Sequence, residues 1–512
     1  MVFDKKSLIY NTLVLTAANF IVRMIGFAYR ILLSRLIGAE GIGLFQLVAP
    51  IHMLTITLVT SGLPIAVSRM VSRHVALKDD TGAKQVVQRA LTAVSILSVF
   101  IMLLLSLNLK TIAFHLLKQP RTYLSLVAFI PCILILGLSS VYNGYFYGKK
   151  NVHPPALSEM VEQILRVGLV LATLHFFAPL EAEHASAIAM AGMVVGEMAG
   201  LILVQYFYWK EKKHNSLPYR PAKHSPNILR ELFAIAAPIT GTRLTSSIMQ
   251  SINSIIIPQR LILAGLSNSE ALSQFGMLTG MAMPFIFLPF TLTGALSVVM
   301  VPNLSEDRTL NDWRSIQEKI GKAVLITCIT TFPIAALLMP LSTPLSVLLY
   351  NEKEVGRILF YLAPIIIPFC LQHTLSGLLN GLGRQGLAAA NYLIGASASL
   401  VCNYFMVSDP LFGIYGYVIG LSLSSMITCS LNYMAIKKYG RIKTDLLHWF
   451  IKPAFAALCM AVATRWCYSN CVVHQLPLPI SIFISTLLGM LVFALLAYGM
   501  GVLSSTMFTR KR

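Results

Sequence analysis

The chain has 512 residues, of which 56% are hydrophobic and only 12% charged, with a formal net charge of +20. That balance excludes a soluble enzyme, and it excludes a nucleic-acid module as well, because the basic residues sit in short stretches between long apolar runs. Runs of roughly 20 apolar residues, enough for a helix to cross a hydrocarbon core of about 30 Å, follow one another almost end to end.

The pattern predicts an all-α, polytopic membrane protein of about fourteen helices, without the alternating strands of a membrane barrel. The first six spans read as 8–36, 43–68, 90–108, 123–147, 155–178 and 185–209. The next six read as 231–263, 272–302, 321–347, 356–381, 386–407 and 412–436, followed by two more at 447–467 and 477–503. Met1–Lys6 leads into a segment too long for a signal h-region, so the first helix is expected to stay in the mature protein.

Lysine and arginine concentrate in alternate loops: Lys5 and Lys6; Arg69 to Arg89; Lys149 and Lys150; Lys210 to Lys223; Arg308 and Arg314; Arg384; Lys437 to Lys443; and Arg510 to Arg512. The other loops carry Glu40, Glu181, Glu183, Glu270, Glu352, Glu354 and Asp409, with one sizeable basic exception at Lys110, Lys118 and Arg121. This asymmetry predicts a multi-pass protein of the cytoplasmic membrane with both termini inside.

The proline-rich stretch Lys210 to Pro226 divides the spans into halves. We expect an N-lobe at 1–209, a basic linker at 210–229, a C-lobe at 230–438, and two extra helices with a basic tail at 439–512. Arg23 answers to Arg243, Gly62–Val67 to Gly294–Val299, and Tyr142-Asn143-Gly144 to Leu379-Asn380-Gly381, in the same order and at similar offsets. Two six-helix lobes in parallel repeat are the expected architecture, with a transport site expected between the lobes.

Polar residues inside spans are the candidates for function. Arg23, Arg30 and Arg243 keep their charge and present a planar fork suited to phosphate oxygens. Arg30 either faces a cavity or snorkels to an interface, the role expected of Arg35. The fifth span carries Glu159, Glu162, Gln163 and Arg166, with Glu162 and Arg166 on one face as either a structural pair or one that opens as a site fills. Glu197 is a lone carboxylate that either relays a coupling ion or bonds a neighbouring helix, while Gln250, Asn253 and Gln259 either line the cavity or join helices. Pro64, Pro131, Pro284, Pro289, Pro364 and Pro368 mark candidate bends. Cys467 and Cys471 are read as flanking an outer loop, where a local disulfide is an open option. No P-loop, zinc spacing or catalytic signature appears, and His184, His224 and His373 read as loop or packing residues, so no enzyme, cofactor or metal is expected.

The ordered motifs Arg23-Met24-Ile25-Gly26-Phe27-Ala28-Tyr29-Arg30, Arg35-Leu36-Ile37-Gly38-Ala39-Glu40-Gly41, Ser61-Gly62-Leu63-Pro64, Tyr145-Phe146-Tyr147-Gly148-Lys149, Glu162-Gln163-Ile164-Leu165-Arg166 and Gly241-Thr242-Arg243 run through the whole chain. In them the chain resembles the stage V sporulation protein B family, polysaccharide-type transporters of the multidrug/oligosaccharidyl-lipid/polysaccharide (MOP) exporter superfamily related to lipid II flippases. The resemblance implies alternating access for an undecaprenyl-pyrophosphate-linked glycan. It implies a cationic cavity at Arg23 and Arg243, and a groove for the lipid tail in the two extra helices. Relatives often read Gly-Phe-Ala-Arg where this chain has Tyr29, with Arg30 one residue later and about 100° around the helix.

The expected function is therefore a flippase for a peptidoglycan or polysaccharide precursor in spore-cortex or envelope assembly. A proton or sodium gradient, or the membrane potential, would drive it. The expected partners are the lipid-linked glycan, membrane lipids and wall-synthesis enzymes, without nucleic acid. The alternatives are a multidrug or organic-cation antiporter of the same superfamily, a membrane glycan polymerase or glycosyltransferase, and a non-transporting scaffold.

Overall fold

A computed structural model describes residues 8–77, 79–177, 179–214, 228–442 and 445–502, and every regular element among them is helical. In chain order these are α1 (Leu8–Thr60), α2 (Leu63–Ala76), α3 (Asp80–Thr111), α4 (Tyr123–Gly148), α5 (His153–Phe177), α6 (Ala182–His214), α7 (Ile228–Leu263) and α8 (Asn268–Gly276). There follow α9 (Met283–Thr309), α10 (Trp313–Tyr350), α11 (Lys353–Leu362), α12 (Ile366–Gly381), α13 (Gln385–Met406), α14 (Ile414–Tyr439), α15 (Lys452–Val473) and α16 (Leu478–Gly499). Eleven helical stretches among the described residues are long and apolar enough to cross a membrane. One of them, Phe20–Ala76, is far longer than a bilayer core of about 30 Å at 1.5 Å per residue. It is broken at Gly38, whose φ of 69° with ψ of 178° is a backbone shape that glycine alone tolerates easily. A second break at Ser61–Gly62 precedes α2, which restarts with Pro64 in its first turn.

Helices outlast the apolar runs that announce them. Arg69 and Arg73 stand on α2 and Lys84 and Arg89 on α3, not in a loop, and only residues 77–79 separate those helices. The gap between the spans read as 272–302 and 321–347 shrinks to residues 310–312, and α6 carries Lys210, Lys212 and Lys213 into its last turns. Hydropathy marks the part of a helix that lies in lipid, whereas a cap decides where the helix begins. Asp79 caps α3 by accepting from the Gly82 N–H at 2.8 Å, and Asp312 caps α10 by accepting from the Ser315 N–H at 3.0 Å. For the same reason Cys467 and Cys471 do not flank a loop: α15 continues to Val473, and the two free thiols lie one turn apart on it. Both termini, Lys5, Lys6, Lys78, Arg220, Lys223, Pro218, Pro221, Pro226, His224, Lys443 and Arg510–Arg512 lie outside the described residues.

Packing divides the chain into two compact units, Met1–Gln259 and Arg260–Arg512. The boundary falls within α7 and not in the 210–229 stretch, so Arg243 belongs to unit 1. There Thr240 accepts from the Gly62 N–H at 3.2 Å, Ser247 bonds Thr57 at 2.9 Å, and Ser251 donates to the Pro50 carbonyl at 3.2 Å. Unit 1 is filled by side chains such as Val67, Val71, Val86, Val94, Phe129 and Phe146. In unit 2, α15 and α16 pack on each other and on α10, adding Met460 and Phe493 to a core of Ile320, Val324, Leu375 and Leu379. A buried amide and hydroxyl network crosses that core: Asn391 donates to Asn432, and Asn432 to Ser376, both at 2.9 Å.

The two units repeat each other in detail. In unit 1, α4 packs on α2, α3 and α6; in unit 2, α12 packs on α9, α10 and α14. Gly144 presses on Pro64 and Val67, and Gly381 presses on Val301 and Leu304. The step along the chain from Gly144 to Gly381 equals that from Pro64 to Val301 and from Val67 to Leu304, so the contacts themselves define one register. This corrects the sequence pairing of Gly62–Val67 with Gly294–Val299, which matches Pro64 to Leu296 where the contacts match it to Val301.

Candidate functional site: a polar cavity in unit 1

Unit 1 holds a cavity of about 780 Å³ whose walls are built from helix faces rather than loops. Ser61, Ile65, Ser68 and Ser72 recur at alternating steps of four and three, one face of the α2 segment and the break before it. Ser139, Asn143 and Tyr147 follow at steps of four along α4. From α5 come Ser158, Glu159 and Glu162, from α6 Glu197, and from α7 Arg243, with Arg69 and Lys150 also in the lining. Three cations and three carboxylates thus meet amid a wall of hydroxyls.

Behind the lining, Arg166 donates to Glu162 on its own helix and to Glu197 of α6 at 3.4 Å. Gly196 lets α6 close onto α5 here: a Cβ at that position would stand 2.9 Å from the Glu162 carbonyl and 3.0 Å from the Arg166 Cβ. The Glu162 and Glu197 carboxyls thus converge on one guanidinium. Two carboxylates against one guanidinium leave an odd charge in a poorly solvated place, where unpaired charge is costly. Around this centre several buried polar atoms have no hydrogen-bond partner among the described residues: the Tyr29 hydroxyl (7% exposed), His52 Nε2 (5% exposed), Arg166 Nε and Asn143 Oδ1. Tyr29 and His52 both lie within the electrostatic field of Arg166.

The repeat supplies an internal comparison for this crossing. In the register that pairs Gly144 with Gly381, Glu162 and Arg166 correspond to Ser399 and Asn403, and Gly420 presses on these as Gly196 presses on the charged pair. In unit 2 that pair is neutral, with the Asn403 side chain donating to the Ser399 hydroxyl at 3.3 Å. The helix crossing therefore does not itself require charge.

The structure gathers Glu159, Glu162, Glu197 and Arg243 at one cavity, with Arg166 directly behind. Arg23 and Arg30, two turns apart and so on one face of α1, are exposed and are not among the residues lining it. The residue turned inward beside them is Tyr29. Gln250 is exposed, Asn253 donates to the Met249 carbonyl of its own helix at 3.3 Å, and neither lines the cavity. Gln259 joins elements by donating to the Leu116 carbonyl at 2.8 Å. Sequence reading passed over Arg69 and Lys150 as loop charges, and it passed over the serines altogether. The signal for the serines is their helical spacing on α2 and α4.

The model of the polysaccharide biosynthesis protein family matches residues 8–307, and a second family model, MatE, matches residues 243–405. The chain is 29% identical to stage V sporulation protein B of Bacillus subtilis (strain 168) over 457 residues, covering 89% of this chain and 88% of that protein. It is 24% identical to lipid II flippase MurJ of the same organism over 466 residues, covering 86% and 84%. Among solved structures it is similar to lipid II flippase MurJ in an inward closed conformation, with a TM-score of 0.69 at 16% identity over 96% of this chain and 99% of that one. The chain belongs to the polysaccharide biosynthesis protein family.

Proposed function

We propose that this protein is a flippase that carries a lipid-linked glycan precursor, of the undecaprenyl-pyrophosphate type, across the cytoplasmic membrane by alternating access. The observation that carries the reading is the cavity of unit 1, where Arg69, Lys150 and Arg243 stand among serine hydroxyls and Asn143. Guanidinium and ammonium groups suit phosphate oxygens, and hydroxyls and amides suit sugars. The lipid II flippase among its relatives supports the substrate class, and the sporulation protein supports a place in spore-cortex or envelope assembly. Arg23 and Arg30, on the exposed face of α1, are the further contacts for the anionic headgroup. The lysine and arginine asymmetry supports cytoplasmic termini, which puts Arg69 and Lys150 at the inner end of the cavity.

Coupling is assigned to Glu162, Arg166 and Glu197. Their odd charge, the unpartnered Tyr29 and His52 beside them and the neutral pair at the equivalent place in unit 2 support a site that takes up one proton or monovalent cation. Glu159 adds negative charge at the cavity edge.

The test is flipping of a labelled undecaprenyl-pyrophosphate disaccharide in proteoliposomes. Arg243→Ala is expected to slow it at least about tenfold, since a hydrogen bond to a charged group contributes roughly 1.5–3 kcal/mol. Arg23→Ala tests the exposed face in the same assay. A second reading, export of an organic cation, is favoured by the three cavity glutamates and the MatE match. Wild-type protein that expels a cationic dye and leaves the glycan lipid in place would replace the flippase reading with that one.

A further inference from the structure

Unit 2 carries a groove of about 670 Å³ that the cavity mechanism does not use. It lies where the C-terminal part of α10 meets the second half of α11 and the beginning of α14, at the end of the unit opposite Arg314, Lys437 and Lys438. Gly356 allows this meeting, because a Cβ there would stand 2.6 Å from the Thr343 Cα of α10. Two of its walls are tyrosine rings: Tyr361 and Tyr415 stand edge to face, with centroids 5.2 Å apart and planes at 76°. Phe360 extends the aromatic surface, and Ser342 also lines the groove, its hydroxyl donating to the Met339 carbonyl of α10 at 3.0 Å. At the mouth, Arg357 is held by Glu354 at 2.9 Å, and the Tyr415 hydroxyl lies in the field of both.

We propose that this groove binds an uncharged, polyhydroxylated sugar, on the side of the membrane where the flipped glycan emerges. That placement rests on the flippase reading and its orientation, whereas the binding chemistry does not. Two rings near a right angle make a corner that covers one apolar face of a pyranose and one of its edges. Arg357, Glu354 and the tyrosine hydroxyls place donors and acceptors around the rim, the pairing of apolar walls with a few polar groups that small-molecule sites use. An anionic headgroup fits worse, because Glu354 already neutralises Arg357 at the mouth. An acyl chain has no use for the rim.

The internal repeat argues that the rings are there for a ligand. In the register that pairs Gly381 of α12 with Gly144 of α4, Tyr361 corresponds to Leu124. In the register that pairs Gly420 of α14 with Gly196 of α6, Tyr415 corresponds to Ala191. The equivalent crossing in unit 1 is made without an aromatic corner.

The experiment is titration of the full chain, in nanodiscs of zwitterionic lipid, with N,N′-diacetylchitobiose, followed by saturation-transfer NMR. The wild type is expected to bind. Tyr361→Leu and Tyr415→Ala, which install the residues of unit 1, are expected to weaken binding by about tenfold each. Arg357→Gln changes an exposed side chain outside the core and is expected to weaken it by about threefold, so a tyrosine variant that fails to fold does not remove the test. No binding by the wild type, equal binding by the variants, or displacement of the sugar by glycerol phosphate would overturn the proposal. The flipping assay separates the two readings. Protein that flips lipid-linked glycan without binding the disaccharide sinks the groove alone, and protein that binds at the groove without flipping sinks the flippase alone.

Discussion

Arg166 is outnumbered, and the two glutamates it faces are not equivalent. Glu162 is its i,i−4 neighbour on α5, while Glu197 reaches it from α6 at 3.4 Å. Removing the guanidinium would leave two buried carboxylates together, so Arg166→Leu is expected to destabilise unit 1 by about 3–5 kcal/mol. Glu197→Gln leaves a balanced pair and is expected to change stability by less than about 1 kcal/mol while abolishing dependence of transport on the ion gradient. Thermal unfolding in detergent and gradient-driven flux measure these two effects separately. A destabilised but still coupled Glu197→Gln variant would show the triad to be structural. The sequence placed Glu162 and Arg166 on one face by their spacing, because a helix fixes that relation locally. The partnership with Glu197 depends on how α6 meets α5 at Gly196, and no local rule supplies that.

At the scale of elements, the α2–α3 corner shows why loop boundaries were misread and offers a pH test. Burial pushes the Asp79 carboxyl up, but the Gly82 N–H, the Thr81 hydroxyl and His74 together outweigh it and hold its pKa below the ordinary 3.8. A carboxyl lowered by folding contributes stability that is complete above its unfolded pKa and lost as pH falls through the folded one. Hydrogen exchange at the Gly82 N–H is therefore expected to accelerate on acidification below about pH 4, beyond the intrinsic pH dependence of exchange. Asp79→Ala is expected to cost about 1 kcal/mol and to make that exchange fast already at neutral pH. In unit 2 the element-scale glue is Asn432, which joins α14 to both α12 and α13. Asn432→Ala should cost about 1 kcal/mol, near the middle of the range measured for interhelical hydrogen bonds in membranes. Denaturant unfolding compared with an exposed control, Met434→Ala, checks the value.

For the whole molecule, the repeat and the charge asymmetry together predict a sidedness that labelling can read. Leu310→Cys, exposed in the short α9–α10 connection, is expected to react with an impermeant maleimide only after cells are opened, and Lys353→Cys at the start of α11 in intact cells. The reverse pattern would invert the orientation on which the flippase direction depends. Because hydropathy and lysine-arginine bias are properties of consecutive residues, the sequence by itself determined the membrane class, the all-helical architecture and the existence of two similar halves. The register of those halves was resolved only by contacts, through Gly144 against Pro64 and Gly381 against Val301. Tertiary packing alone decided which polar residues meet. A helix presents a new direction about every 100°, so Tyr29 turns inward where Arg30 does not, and serines scattered over α2, α4 and α5 become one wall. A cavity made of single faces from five helices is a property of their rotation and crossing, which the neighbouring helices set and the local sequence does not.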